Sequence, residues 1–144
     1  MPKAEHELDI HAPIERVFDV ISDYEQYPEF LPEMREVRVL SRHDGVAVVQ
    51  FELELVMRLS YTLRLTEERP HALTWTLEQA KMMSLNSGGW KLTAKDAKRT
   101  HATYGLEVKL RGLIPKSVST RLIGTTLPAT MERFKARAEA LASG

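Results

Sequence analysis

Residues 116–141, KSVSTRLIGTTLPATMERFKARAEAL, hold the pattern from which the rest of the chain is read. Ile123, Leu127, Met131, Phe134, Ala138 and Leu141 recur at gaps of four, four, three, four and three. That spacing is the apolar stripe of one long α-helix. Glu132, Arg133, Lys135, Arg137 and Glu139 give the other face of its second half to water. A stripe this long needs an equally long apolar partner, since burying one large aliphatic or aromatic side chain contributes about 1.5–3 kcal/mol. The first half is apolar on a second face as well, at Val118 and Leu122. That face suits extra burial, contact with a second copy of the chain in a homodimer, or peripheral contact with a membrane. Pro128 removes the helical hydrogen bond to the carbonyl of Gly124 and crowds it. A kink between Gly124 and Pro128 is expected. It would serve either as a hinge at a cavity mouth or as a bend that follows a curved sheet.

The partner for the helix is a set of alternating strands. Val49, Phe51, Leu53, Leu55, Met57, Leu59, Tyr61, Leu63 and Leu65 take every odd position from 49 to 65. Polar residues take the even ones, with Val56 the exception. One strand of that length is unusual, so a turn is expected near Val56-Met57-Arg58, with Val56 and Met57 exposed at its tip. A single bent, bulged strand is the alternative. Leu73, Trp75 and Leu77 share one face of the next strand, and Asn86, Gly88, Trp90 and Leu92 one face of another. The adjacent Gly88 and Gly89 indicate a bulge or a close backbone approach. Tyr104, Leu106, Val108 and Leu110 alternate in the last strand. His43-Asp44-Gly45, Glu68-Arg69-Pro70-His71 and Asp96-Ala97-Lys98-Arg99 read as turns.

Before these strands, residues 4–12 alternate, with His6, Leu8, Ile10 and Ala12 on the apolar side. Pro13 opens a helix whose apolar face is Ile14, Val17, Phe18 and Ile21. Residues 24–32 carry two tyrosines, a Phe and two prolines, with Pro28 placed to start a second short helix and Pro32 to stop it. They are expected to pack as a cap over the core. The order is strand, two short helices, six strands, long helix: an α+β chain with a seven-stranded antiparallel meander.

Composition narrows the function classes. At 144 residues with 43% hydrophobic and 28% charged residues, the chain reads as one soluble domain spanning 1–144. Twenty basic residues balance twenty acidic ones, so net charge argues against a nucleic-acid partner. No cysteine is present, which removes thiolate nucleophiles and Cys-ligated metals and fits a reducing, cytoplasmic location. The N-terminus lacks a signal-peptide core, and no apolar run reaches the ~18 residues of a membrane span. The five histidines are scattered at expected turns and strand ends, and no nucleophile elbow or phosphate loop occurs. No catalytic residue, metal ligand or cofactor is assigned.

The run from Ala12 to Pro32, with its Tyr27-Pro28 centre, resembles the opening of the coenzyme Q-binding and polyketide cyclase/dehydrase family of the START-like, helix-grip (SRPBCC) superfamily. The Gly89-Trp90 strand, the Gly112-Leu113-Ile114-Pro115 approach to the helix, and Phe134 to Glu139 agree with it. The resemblance spans about residues 3–142 and implies a curved sheet wrapped around the long helix, with an apolar cavity between them. It also implies hydrophobic ligands: quinones, lipids, sterols or polyketides. Two alternatives stay open: a cyclase/dehydrase-type enzyme, for which Asn86 and Tyr104 would be the polar groups available, and an interaction protein of the ribosome-association toxin kind with a closed core. The ligand-binding set expected is Phe51, Tyr61, Trp75, Asn86, Trp90 and Tyr104 from the sheet, with Leu127 and Met131 from the helix.

Overall fold

The computed structural model describes residues 3–55, 57–112, 114–121 and 127–143. Strand β1 (Lys3–Ile10) leads into α1 (Ile14–Ser22) and a 3-10 helix (Tyr24–Glu29). Six strands follow: β2 (Met34–His43), β3 (Val46–Glu54), β4 (Arg58–Glu68), β5 (Ala72–Ala80), β6 (Met83–Asp96) and β7 (Arg99–Leu110). They form one antiparallel sheet in the order β1-β7-β6-β5-β4-β3-β2. The two short helices carry the chain from one edge of the sheet to the other, and the meander brings it back to β1. Register shifts in β2–β3, β4–β5 and β6–β7 mark bulges, which bend strands and increase their twist. Helices α2 (Lys116–Arg121) and α3 (Leu127–Ser143) complete the chain.

Local chemistry explains the joints. Asp44 and Gly45 both take positive φ, 52° and 77°, as a two-residue hairpin turn with the right twist requires. The β3–β4 turn is a real break, closed by Leu55 N–H donating to the Met57 carbonyl at 3.0 Å. Met57 is half-buried against the core rather than exposed, and Val56 lies outside the described residues. Pro28 sits inside the 3-10 helix instead of starting it, and that helix ends at Glu29, before Pro32. The cap is tied down by Tyr27 Oη donating to the Ile21 carbonyl and Tyr24 Oη donating to Glu67 on β4 at 2.6 Å. Glu25 accepts from Val39 N–H at 3.0 Å, so the cap also covers part of the β2 edge.

The long helical stripe is buried at Leu127, Met131, Phe134 and Ala138. Leu141, expected to continue it, is 45% exposed, because α3 reaches past the core into a surface cleft beside Arg16 and Phe30. Ile123, Leu122 and the Gly124 side of the expected kink lie outside the described residues. Pro128 lies at the described start of α3, which directly follows residues outside the described ones. Val118 is fully buried, so this residue of the second apolar face packs inside its own chain.

Gly88 and Gly89 mark close approach, not a bulge. A Cβ on Gly88 would stand 2.1 Å from the Gly105 carbonyl oxygen and 3.0 Å from Trp75; one on Gly89 would meet Thr74 at 2.9 Å. Gly105, paired opposite Gly89, has room: its nearest neighbour would be 3.9 Å away. Gly88→Ala is therefore expected to lose at least ~1–3 kcal/mol by overpacking against backbone, while Gly105→Ala stays within about 1 kcal/mol of the parent. Urea unfolding of both variants checks the contrast.

Candidate functional site

One face of the sheet and α3 border an open cavity of about 120 Å³. Its wall is a continuous belt of rings. Tyr61 stacks on Phe51 with centroids 5.4 Å apart, and Phe51 lies 6.2 Å from Tyr27. Tyr27 meets Phe134 edge-on at 5.2 Å, Phe134 meets Trp90 at 5.2 Å, and Trp90 meets Tyr104 at 4.9 Å. Tyr104 closes on Trp75 at 5.5 Å. Each strand ring stands on the inward parity of its strand, which is why a two-residue period gathers them on one face. Aliphatic residues fill between them, Leu53, Leu63 and Leu106 among those expected.

Seven of the eight residues singled out from sequence line this cavity: Phe51, Tyr61, Trp75, Asn86, Trp90, Tyr104 and Leu127. Met131 does not. It is fully buried one turn along α3 but turned off the free volume; Leu127, Thr130 and Phe134 are the helical residues that touch it. Leu77, expected to face inward, is half-buried and off the lining. The sequence reading missed Tyr27, Leu31 and Met34, which come from the cap and the start of β2, where no period operates. It also missed Leu65 and Leu73, which continue apolar strand rows, and Met83, which precedes a register shift in β6 and lies off the parity of Asn86, Trp90 and Leu92.

Strands β5 and β6 part beside the cavity. They pair only from Ala72–Trp75 against Gly88–Lys91; beyond that β5 stays on β4 and β6 on β7. A side-chain bond spans the fork. Trp75 Nε1–H donates to Asn86 Oδ1 at 3.1 Å, with Trp75 and Asn86 both buried, and Asn86 Nδ2 approaches Met83 Sδ at 3.8 Å.

The remaining polar tips are open. Among the described residues nothing accepts a hydrogen bond from Tyr61 Oη, Tyr104 Oη or Trp90 Nε1. Among the described residues no fully enclosed side-chain nitrogen or oxygen lacks a partner, so these three tips border free space. Burial pushes the phenols of Tyr61 and Tyr104 well above the ordinary tyrosine value, and for Tyr104 the neighbouring Tyr61 adds to it. Both stay protonated and act as donors. Among the described residues no charged side chain lines the cavity.

Titratable chemistry lies outside. His101 Nδ1 is 2.7 Å from Asp9 Oδ1 on the outer face of β7 and β1, with Glu7 and Lys95 beside them. The hydrogen bonds from His101 and Lys95 hold Asp9 down to about 2, and Asp9 in turn raises His101. No group of three potential metal ligands occurs among the described residues. No helix among them is long and apolar enough to cross a membrane.

A family model described as polyketide cyclase / dehydrase and lipid transport matches residues 10–135. Comparison with curated protein sequences gives no match. Among solved structures, a START superfamily protein from Mycobacterium smegmatis aligns with a TM-score of 0.83 at 17% identity, covering 96% of this chain and 98% of the other. The Zhui aromatase/cyclase from Streptomyces sp. R1128 aligns at 0.80 and 18%, covering 98% and 93%. A STAR-related lipid transfer protein from Xanthomonas axonopodis aligns at 0.75 and 15%, covering 94% and 85%. At these identities the likeness carries the START-like fold alone.

Two outcomes follow from the polar groups. Asn86→Ala leaves the buried Trp75 N–H without its acceptor and is expected to cost about 1–3 kcal/mol. A double-mutant cycle with Trp75→Phe, read by urea unfolding, should return a coupling near 1 kcal/mol. On the outer face, the raised His101 value means that its contribution to stability is fully present below about pH 6.5 and fades as pH rises through the folded-state value. The stability gap between the parent and His101→Gln should therefore be widest in mild acid. Asp9→Asn should lower the His101 midpoint in an NMR titration.

Proposed function

The chain belongs to the polyketide cyclase/dehydrase and lipid transport family, and from that premise and the open donors of its cavity we infer that it binds a compact, mostly apolar molecule bearing a hydrogen-bond acceptor. The observation that carries this reading is the trio Tyr61 Oη, Tyr104 Oη and Trp90 Nε1, donors without protein partners inside an apolar wall. Buried tyrosine and tryptophan tips normally find an acceptor, and one left unpaired costs about 1–3 kcal/mol. A carbonyl, ether or quinone oxygen would supply it. Apolar walls with a few convergent polar groups are the usual make-up of a small-molecule site.

Volume sets the scale of the ligand. At about 120 Å³ the cavity is below the ~300–1,000 Å³ of sites that enclose a drug-sized molecule. It is nearer the ~150 Å³ apolar cavity that accepts benzene. The resident portion is therefore ring-sized; a lipid, quinone or polyketide with a longer body would have to extend beyond this volume. Carriage or sequestration fits better than catalysis. With no carboxylate, imidazole or amine on the lining and the phenols held protonated, the cavity offers donors but no general base.

Acetophenone and isopropylbenzene test the reading, because they share a shape and differ in one acceptor oxygen. Acetophenone is expected to bind about 2–10-fold more tightly, the worth of one ordinary hydrogen bond. Tyr61→Phe combined with Tyr104→Phe should narrow that margin without abolishing the binding of isopropylbenzene. In an NMR titration the Trp90 indole N–H resonance should move and that of Trp75, already bonded to Asn86, should move less. Failure of both ligands to bind, or equal affinity for the two, would overturn the proposal.

A further inference from the structure

We propose that the end of the molecule built from the β5–β6 turn and the end of β7 docks on an anionic lipid surface. The inference goes beyond the cavity reading and does not rest on what the cavity holds. The chain as a whole has no net charge, yet its carboxylates are unevenly placed. From Gln79 to Lys95, and again from Val108 to Met131, the sequence contains no Asp or Glu. The fold brings these two stretches together. Leu85 pairs with Lys109, Met83 with Leu110, and Arg111 N–H donates to the Met82 carbonyl at 2.8 Å. Val118 N–H donates to the Pro115 carbonyl at 3.0 Å, so α2 starts four residues after Arg111 with its first turn closed.

Three cations are exposed at this end, Lys81, Lys109 and Arg111, and the helix that follows in the chain adds exposed Lys116 and Arg121. Lys81, Lys109, Arg111 and Arg121 make no ion pair among the described residues. Elsewhere pairing is the habit: Arg58 with Glu54, Arg64 with Glu78, Arg69 with Asp19 and Arg99 with Asp96. In sequence the nearest carboxylates are Glu78, which is engaged by Arg64, and Glu107, two residues before Lys109 on β7 and opposite Ser87. Half-buried Met82, Leu110 and Ile114 lie among the cations, beside an exposed Pro115. Cations interleaved with short aliphatic side chains suit the boundary between lipid headgroups and acyl chains. A nucleic-acid partner is less well served: every Phe, Tyr and Trp in the chain is buried or half-buried, so this face offers no ring on which a base could stack. The patch also borders the cavity, since Met83 and Val108, each next to a patch residue, line it.

Vesicle co-sedimentation at low salt tests the proposal with the full chain. Phosphatidylcholine vesicles containing phosphatidylglycerol should bind the protein, vesicles of phosphatidylcholine alone should not, and high salt should release it. Each cation near an anionic surface is worth about fivefold in partition. Lys81→Gln with Arg111→Gln should thus weaken binding roughly 30-fold. Lys98→Gln with Arg133→Gln removes two cations outside the patch and should leave binding within about twofold, since charges more than a Debye length from the surface are screened. Both pairs are exposed, and circular dichroism checks that they fold. Absence of binding to anionic vesicles, equal losses in the two double variants, or capture of single-stranded RNA in place of vesicles would overturn the proposal.

Discussion

Phe134 is the contact on which the architecture closes. Its ring lies 5.1–5.2 Å from Tyr27, Phe30 and Trp90, edge-on to all three. Those partners come from the 3-10 helix, from the residue that follows it, and from β6. One side chain thus joins α3, the cap and the sheet. Edge-to-face pairs contribute about 0.5–1.5 kcal/mol each beyond area burial. The dependence runs both ways. Without α3 the inward rows of β3 to β7 would face water, and a one-layer sheet cannot bury its own apolar face. Without the sheet, α3 would be a helix with an apolar stripe and nothing to cover it. Arg137 reinforces the junction from outside, lying 5.2 Å over the Phe30 ring while pairing with Glu29 at 2.8 Å.

The same choice of rings explains why a cavity remains. Leu and Ile can interdigitate to interior density, but a belt of flat rings in mixed stacked, tilted and edge-on contacts leaves space beside it. Gly88 lets Trp75 lie close over the β6 backbone, where any side chain would collide with it and with the Gly105 carbonyl. Hydroxyl and indole tips then border the space. A wall optimised only for stability would carry Phe in place of Tyr61 and Tyr104, which would remove two polar atoms and no packing area. Retaining the polar tips without protein partners is a departure from consistent core design, and such departures are where function is expected.

How much of this was legible follows from which residues obey a period. The strand rows did, so the sheet, its antiparallel order and six of the cavity-lining side chains on it could be read directly. The helical stripe did too, but a stripe about 100° wide covers both a cavity wall and a packed seam. Leu127, Thr130 and Phe134 fall on the cavity side, while Met131, only about 40–100° round the helix from them, packs with the core. Spacing cannot divide one from the other. Tyr27, Leu31 and Met34 escaped because the cap is irregular, with its position set by hydrogen bonds to Ile21 and Glu67 that are distant from any sequence pattern. The parting of β5 and β6 was equally hidden: both strands keep their alternation whether or not they pair with each other.

Charge is arranged as deliberately as apolar surface, and net neutrality conceals it. Ion pairs cover the outer face of the sheet and the helical layer, including Arg58–Glu54, Arg64–Glu78 and Lys95–Asp9. Individually such exposed pairs stabilise by about 0–1 kcal/mol, so their number says little about stability. Their distribution says more. A chain with equal numbers of acids and bases that pairs most of its arginines could have paired Lys109, Arg111 and Arg121 as well; one Asp or Glu between Val108 and Met131 would have sufficed. That 24-residue stretch instead carries only positive charge and adjoins the end of the cavity bounded by Met83, Val108 and Leu127. Neutral donors inside and uncompensated cations at one end are two halves of one division. The lining keeps to neutral polar groups, and the charge is kept for the surface next to it.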